Sequence, residues 1–287
     1  MSAAYEPRRP RTWMTEVGAL PAPPPPSLLE RLRRGPRTVR RTSRRLGRTG
    51  FFVFETIAHL TEAASRHGPG AGAPSRARRL SWVCENLCTF LGLDVSVRGA
   101  LPPEPAIVVA NHQSYTDPLC ILRHAPAFPI AKAEVVDWPL LGDAMRELGL
   151  LFVVRGSAGS GARVLRQSRR LLAAGASILA FPEGTTTMGA DALPFRRGIF
   201  GVATLDRIPV VPVTVRYASH EMAWVGSESF ATHWARTAAR RRNPVSVTFH
   251  EPLLPAPGGD PAALAEEARQ VIRRALPIAD PPSPRTR

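Results

Sequence analysis

Two short apolar runs of the sequence each end in a loop of polar residues. The run IVVA at residues 107–110 precedes the loop NHQSYTD at 111–117, and ILA at 178–180 precedes FPEGTTT at 181–187. Continuous apolar runs of this length indicate strands buried on both faces of a parallel sheet. Because a site at the edge of a sheet needs polar loops that leave the ends of buried strands, both loops are candidates for one functional site.

The rest of the sequence repeats an alternation of short apolar runs and segments with helical periodicity. This alternation predicts an α/β fold with a layered helix–sheet–helix arrangement and a largely parallel sheet. The predicted strands are 95–97, 107–110, 129–131, 152–154, 178–181, 210–215 and 245–249. The predicted helices are 118–124, 140–148, 161–174, 198–205 and 261–275.

The first fifty residues form a basic arm. The chain has 287 residues and a formal net charge of +15, and residues 1–50 carry twelve arginines against Glu6, Glu16 and Glu30. Five prolines between positions 21 and 26 break this segment, which is typical of a disordered arm. Such an arm favours an anionic partner, either membrane lipid or nucleic acid, or serves solubility alone.

Residues 51–93 contain two apolar segments, 51–60 and 80–93, separated by a glycine-rich loop. Helical spacing in the second segment, with Gly92 as its stop, predicts a helix. With arginines at its ends, this N-terminal helical element is a candidate for association with a membrane surface. The alternative is a pair of ordinary helices packed on the core.

Three cysteines, Cys84, Cys88 and Cys120, give no complete disulfide set, which favours a reducing cytosol. Cys84 and Cys88 would share one helix face as small packing residues. The sequence shows neither a secretory signal nor an apolar run of about 18 residues that could span a bilayer.

His112 and Asp117 are the candidates for acid–base chemistry. A neutral imidazole accepts a proton from a hydroxyl, and a carboxylate on its other nitrogen fixes the tautomer. A strand-to-helix turn can bring Asp117 back to the ring, although Asp117 in front of Pro118 is also typical of a simple helix cap. The second loop combines the carboxylate of Glu183 with a glycine and three hydroxyls, which suits a polyol phosphate.

Taken in order, the motifs of the chain resemble those of the glycerolipid acyltransferase family, of the 1-acylglycerol-3-phosphate acyltransferase type. The resemblance spans about residues 101–217. The matching motifs are Asn111-His112-x-Ser114-x-x-Asp117, Lys132-x-Glu134, Pro139-x-x-Gly142, Gly149-x-x-Phe152-Val153-x-Arg155, Phe181-Pro182-Glu183-Gly184-Thr185 and Ile208-Pro209-Val210-Val211-Pro212-Val213.

The resemblance implies a role for each matching residue. His112 would be the general base on the acceptor hydroxyl and Asp117 its orienting partner, with Asn111 and Ser114 supporting the loop. Lys132 and Arg155 would hold the acceptor phosphate. The glycerol-phosphate site would be lined by Glu183, Gly184 and Thr185. Apart from the resemblance, Arg196 and Arg197 precede a predicted helix and could add positive charge near the phosphates, with Arg197 as a supporting residue; a solvated basic cluster is the alternative. The chemistry would need no metal and no bound cofactor. Acyl-CoA or acyl-carrier protein would be the donor substrate.

One fact of composition supports Lys132 independently of the resemblance. Of the 38 basic residues 37 are arginine, and Lys132 is the only lysine in the chain. Arginine replaces lysine at most exposed positions, whereas a tight phosphate site favours a compact ammonium.

The expected reaction is acyl transfer to a lysophospholipid, with 1-acylglycerol-3-phosphate as first acceptor, in phospholipid biosynthesis at the cytoplasmic face of the membrane. Another lysolipid, such as lyso-ornithine lipid, is the alternative acceptor. A basic nucleic-acid-binding protein is the alternative class, but no nucleic-acid module is recognisable and we expect no such partner. The expected organisation is an arm at 1–50, the helical element at 51–93, the acyltransferase domain at 94–277 and a tail at 278–287.

Overall fold

The computed structural model describes residues 72–134, 145–146, 148–154 and 156–276, together with the helical residues 39–41, 43–45, 47–48 and 50–51. Several predicted features lie outside the described residues. They are most of the basic arm, nearly all of the first apolar segment, most of the predicted helix 140–148, the motif residues Pro139, Gly142 and Arg155, and the C-terminal tail. The domain boundaries stay predictions.

Seven strands form one sheet. In chain order they are β1 (Leu93–Arg98), β2 (Ile107–Ala110), β3 (Ala127–Lys132), β4 (Leu151–Val153), β5 (Ser177–Ala180), β6 (Val210–Tyr217) and β7 (Asn243–Phe249). Their spatial order is β1-β7-β6-β2-β5-β3-β4, and only the β6–β7 pair is antiparallel. The prediction of an α/β fold with a largely parallel sheet is confirmed.

The two apolar runs occupy the middle of this sheet. β2 and β5 are buried at all four positions, and Ile107 pairs with Ile178 on one side and with Val210 on the other. Because β2, β3, β4, β5 and β6 run in the same direction, their carboxyl ends open at one edge of the sheet. The polar loops that follow β2 and β5 therefore meet there.

Helices cover both faces of the sheet. The helices are α1 (Ala73–Leu91), α2 (Asp117–Leu122), α3 (Ala158–Ala173), α4 (Gly198–Asp206), α5 (Phe230–Ala239) and α6 (Pro261–Ala275). Residues of α1 and α2 share one apolar core with the sheet, and residues of α3, α4 and α6 share a second core on its other face. Alternate residues of β2 divide between the two cores, with Val108 in the first and Val109 in the second.

Helix α1 shows what the second N-terminal apolar segment does within the described part of the chain. Its buried face, which includes Cys84 and Cys88, packs into the first core, as expected for small apolar residues. The helix ends where predicted, because Gly92 adopts the left-handed conformation (φ 67°) and its N–H donates to Thr89 O at 3.2 Å. Of the described helices, none combines the length and the apolar character that crossing a bilayer requires.

Two details of the predicted elements need correction. Phe181 and Val154 lie just beyond β5 and β4, because the chain turns into Pro182 after the first and into a loop after the second. Helix α5 has no counterpart among the predicted helices. Two of its three buried residues, His233 and Thr237, are polar, so its inner face lacks the apolar periodicity that marks a helix in sequence.

Candidate active site

The loop after β2 begins with an asparagine that continues the sheet. The Asn111 side chain donates from Nδ2 to Val215 O at 3.0 Å, and its Oδ1 accepts from Val215 N at 2.8 Å. The amide thus imitates a peptide group against β6 and fixes the point at which the chain leaves the sheet. His112 follows directly at that edge.

Asp117 closes the loop on itself. Its Oδ2 lies 2.8 Å from His112 Nδ1 and accepts the backbone N–H groups of Gln113 at 2.6 Å and Ser114 at 2.9 Å. Asp117 is the first residue of α2, behind an N-cap position held by Thr116, and its carboxylate points back into the loop. The alternative interpretation of Asp117 as a simple helix cap is therefore wrong.

These contacts decide the tautomer of His112. An ionised carboxylate only accepts hydrogen bonds, so Nδ1 must carry the proton and Nε2 keeps its lone pair. The ring stacks on Phe181, with centroids 4.1 Å apart, and 17% of the side chain stays accessible. Nε2 is consequently the nitrogen that can take a proton from a hydroxyl.

Tyr217, at the end of β6, is a contact that the sequence did not reveal. Its hydroxyl donates to Asp117 Oδ1 at 2.6 Å, and the Thr116 hydroxyl lies 2.6 Å from the same phenol oxygen. Burial, together with the nearby carboxylate of Asp117, raises the pKa of the Tyr217 phenol, so it remains a neutral donor. Both carboxylate oxygens of Asp117 are thereby engaged.

Glu183 does not line the cavity, contrary to the expectation that it lines the substrate site. Only 5% of the residue is exposed, and its carboxylate is turned into the protein. Oε1 accepts the backbone N–H of His112 at 2.8 Å, and Oε2 accepts that of Leu193 at 3.1 Å. Burial raises the pKa of this carboxyl to about 7, against the opposing effect of the two N–H donors. Glu183 therefore holds the backbone of the His112 loop from the buried side, through the N–H groups of His112 and Leu193.

A cavity of about 1040 Å³ opens beside His112. The residues that line it include Lys132, Gly184 and Thr185, three of the positions for which substrate contact is predicted. Arg196 also lines it, whereas Arg197, the predicted supporting residue, does not. Arg155 lies outside the described residues. Lys132 Nζ is 2.8 Å from Glu134 Oε1, so the lysine reaches the cavity as one half of an ion pair.

The remainder of the cavity is apolar. One side is formed by α1, through residues that include Leu80, Val83 and Leu87. Another is a group of aromatic rings in mutual edge contact, formed by Tyr115, Trp224, Phe230 and Trp234. In the part of the chain that the structure describes, no group of three His, Cys, Asp or Glu side chains is placed to hold a metal ion. A polar site beside a long apolar cavity suits an amphipathic substrate.

Comparison with known proteins supplies the class of enzyme. A family model described as Acyltransferase matches residues 93–216. A lyso-ornithine lipid O-acyltransferase of Pseudomonas aeruginosa is 35% identical over 215 residues, which cover 72% of this chain and 82% of that protein. The chain belongs to the lysolipid O-acyltransferase family. The prediction of an O-acyltransferase of lipid metabolism is confirmed, and the alternative of a nucleic-acid-binding protein is set aside.

Two further relatives carry a different acceptor in their names. The 1-acyl-sn-glycerol-3-phosphate acyltransferase alpha of Mus musculus is 34% identical over 184 residues, which cover 62% of this acyltransferase and 62% of the mouse protein. The crystal structure of PlsC, the 1-acyl-sn-glycerophosphate acyltransferase of Thermotoga maritima, matches with a TM-score of 0.57 at 23% identity. That match covers 80% of this chain and 95% of PlsC, and it establishes a shared fold.

Proposed function

We propose that this acyltransferase moves an acyl chain from a thioester donor to the free hydroxyl of a lysolipid, with His112 as general base and Asp117 as its orienting partner. The observation that carries the proposal is the hydrogen bond of 2.8 Å between His112 Nδ1 and Asp117, on a ring that lines the large apolar cavity. It leaves the basic Nε2 as the nitrogen that can act on a substrate.

The reaction follows from that geometry. The acceptor hydroxyl gives its proton to His112 Nε2 while its oxygen attacks the thioester carbonyl carbon. The tetrahedral intermediate then collapses, the carbon–sulfur bond breaks, and the proton on Nε2 passes to the departing thiolate. Asp117 stabilises the transient imidazolium, and Tyr217 and the two backbone N–H groups hold the carboxylate in place. No metal or bound cofactor enters these steps.

The donor would be acyl-CoA or acyl-carrier protein, and its acyl chain would lie in the apolar part of the cavity. Leucine and valine side chains of α1 and the aromatic rings line the cavity, and burial of chain methylenes contributes about 0.8 kcal/mol each. Since both donor and acceptor carry long acyl chains, we propose that the protein works at the cytoplasmic surface of a membrane, where thioester donors are available.

Lyso-ornithine lipid is the first candidate for the acceptor. The similarity to the Pseudomonas aeruginosa enzyme named for this lipid extends over 82% of that enzyme. The second candidate is 1-acylglycerol-3-phosphate, which is favoured by the names of the mouse and Thermotoga maritima proteins and was the first acceptor expected from sequence. An assay of purified protein with each acceptor, and with acyl-CoA or acyl-carrier protein as donor, ranks both pairs of candidates by kcat/KM.

The decisive variant is His112→Ala. We expect it to lower kcat/KM by about 10³-fold, because general-base catalysis contributes roughly 10²- to 10⁴-fold. His220→Ala is the matched control, since His220 is exposed and does not line the cavity. Thermal unfolding and circular dichroism confirm that both variants are folded. Full transfer by a folded His112→Ala protein would remove His112 from the mechanism.

A further inference from the structure

Two permanently cationic side chains among the described residues line the cavity, and they differ in how their charge is used. Lys132 forms an ion pair of 2.8 Å with Glu134, which offsets its positive charge at the cavity. Arg196 has no carboxylate within ion-pair distance in the part of the chain that the structure describes. With respect to the described residues, an arriving anion therefore meets an uncompensated positive charge at Arg196.

The position of Arg196 is set by backbone contacts. Its N–H donates to Pro182 O at 3.0 Å, which ties the segment before α4 to the loop after β5. Its guanidinium then lies directly on Gly184, where an added Cβ would be 2.8 Å from both Cζ and Nε. Gly184 adopts φ +71°, so glycine supplies both the backbone conformation and the space that the guanidinium occupies.

Thr185 directly follows Gly184 in the sequence and also lines the cavity. The Thr185 side chain is exposed and, within the described residues, takes part in no hydrogen bond, whereas the Thr186 hydroxyl donates to Trp224 O at 2.6 Å. A cation and an unused hydroxyl therefore both line the cavity that His112 lines. A planar guanidinium of this kind binds a carboxylate or a phosphate through two parallel hydrogen bonds.

We propose that Arg196, assisted by Thr185, forms the subsite for the anionic head group of the lysolipid acceptor. This proposal rests on the proposed function and adds the residue that binds the anionic group of the acceptor. It assigns recognition of the anion to Arg196, which lies 13 positions after Glu183 along the sequence. The carboxylate of Glu183 itself binds the backbone of His112 and faces away from the cavity. The anion is the carboxylate of lyso-ornithine lipid or the phosphate of 1-acylglycerol-3-phosphate.

The same chemistry would also fit the phosphates of a CoA donor, so the test separates the two sources. The full-length wild type, Arg196→Gln, Arg196→Lys and Arg197→Gln are compared as purified proteins. KM is measured for each anionic acceptor, and separately for acyl-CoA and for an acyl thioester of N-acetylcysteamine, which carries no phosphate. Arg197→Gln is the matched control, because Arg197 is the adjacent arginine and does not line the cavity.

We expect Arg196→Gln to raise the KM of the anionic acceptor about tenfold or more with kcat within about threefold, as loss of ground-state binding requires. Arg196→Lys should recover part of this loss, since lysine keeps the charge without the planar fork. Arg197→Gln should stay within about twofold of the wild type. Thr185→Val should raise the KM of the acceptor by about threefold, the size of one neutral hydrogen bond.

Two results would overturn the assignment. The first is an unchanged acceptor KM in folded Arg196→Gln. The second is a rise confined to the KM of acyl-CoA and absent with the phosphate-free donor, which would place Arg196 at the donor. Failure of the proposed function itself would appear differently, as absence of transfer by the wild-type protein or as full activity of His112→Ala.

Discussion

The loops that follow β2 and β5 lie side by side at the edge of the sheet, yet they are built in opposite ways. In the first loop Asn111, Ser114, Thr116 and Asp117 are completely buried, and Asp117 binds three groups of its own loop. In the second loop Glu183 and Thr187 bond the backbone of His112, while Thr185 remains exposed. The Thr186 hydroxyl donates to Trp224 O. The first loop is fixed before any substrate arrives, as proton transfer requires. The second leaves the Thr185 hydroxyl available for recognition.

The largest effect should come from opening the first loop. We expect Asp117→Asn to lower kcat by about 10²- to 10³-fold, because an amide can donate to Nδ1 and so favours the wrong tautomer of His112. The acceptor KM should change by less than about threefold, since the cavity is untouched. Steady-state kinetics on the folded variant test this.

Asp94→Asn is the control for this variant. It removes a carboxylate from β1 that pairs with Arg242 at 3.5 Å, and kinetics should be unaffected. A folded Asp117→Asn enzyme with normal kcat would break the comparison, because the closed loop would then have no catalytic consequence.

An intermediate effect should come from the inward carboxylate of the second loop. Burial raises the pKa of Glu183 from 4.5 to about 7, so the folded protein holds this proton more tightly than the unfolded chain does. Its contribution to stability is complete below the unfolded pKa and is lost as the pH rises through the folded one. We expect the free energy of unfolding to fall by up to about 3 kcal/mol over this range from this group alone.

Glu183→Gln isolates that contribution. The glutamine cannot ionise and can still accept a backbone N–H, so the difference in stability between wild type and variant should depend on pH over this window. Denaturant titrations at several pH values between 4.5 and 8 measure it, with the other titrating groups shared by both proteins. If the difference in free energy of unfolding between wild type and Glu183→Gln did not depend on pH, the Glu183 carboxylate would remain ionised in the folded protein throughout this range.

The smallest effect should come from Tyr217→Phe. The change removes one donor to Asp117 and leaves the ring, so we expect kcat to fall by about tenfold, near the lower value of one hydrogen bond to a charged group.

Ser96→Ala is the control for hydroxyl loss, because Ser96 donates to Val245 O at the far edge of the sheet. An unchanged kcat in folded Tyr217→Phe would reduce Tyr217 to a space-filling role. The rigidity of the first loop would then depend on its backbone donors alone.

Much of the fold could be predicted because the apolar runs are short and separated by clear helical segments. β2 matches its predicted limits at both ends, and α6 likewise begins at Pro261, behind Asp260, whose side chain caps it. Helix α5 could not be predicted, since Phe, Thr, His and Trp are weak helix formers and its inner face is partly polar. Its start depends on Ser229, whose Oγ accepts from Thr232 N at 3.2 Å.

The site divides in the same way. The pairing of His112 with Asp117 could be anticipated, because five residues of a strand-to-helix turn keep the partners local. Tyr217 is 100 positions from Asp117, and only the pairing of β6 with β2 brings it there. Loops have no periodicity, so the sequence could not tell which of Arg196 and Arg197 faces the cavity, or that Glu183 turns inward.

The scarcity of lysine has a practical consequence for chemical labelling. Apart from the α-amino group of the chain, Lys132 carries the only primary amine in the protein, and 41% of its side chain is exposed at the cavity. An amine-specific reagent thus finds a single side-chain target, and that target borders the space where lipid would lie. A single covalent probe attached to Lys132 would therefore report whether the cavity is occupied by lipid.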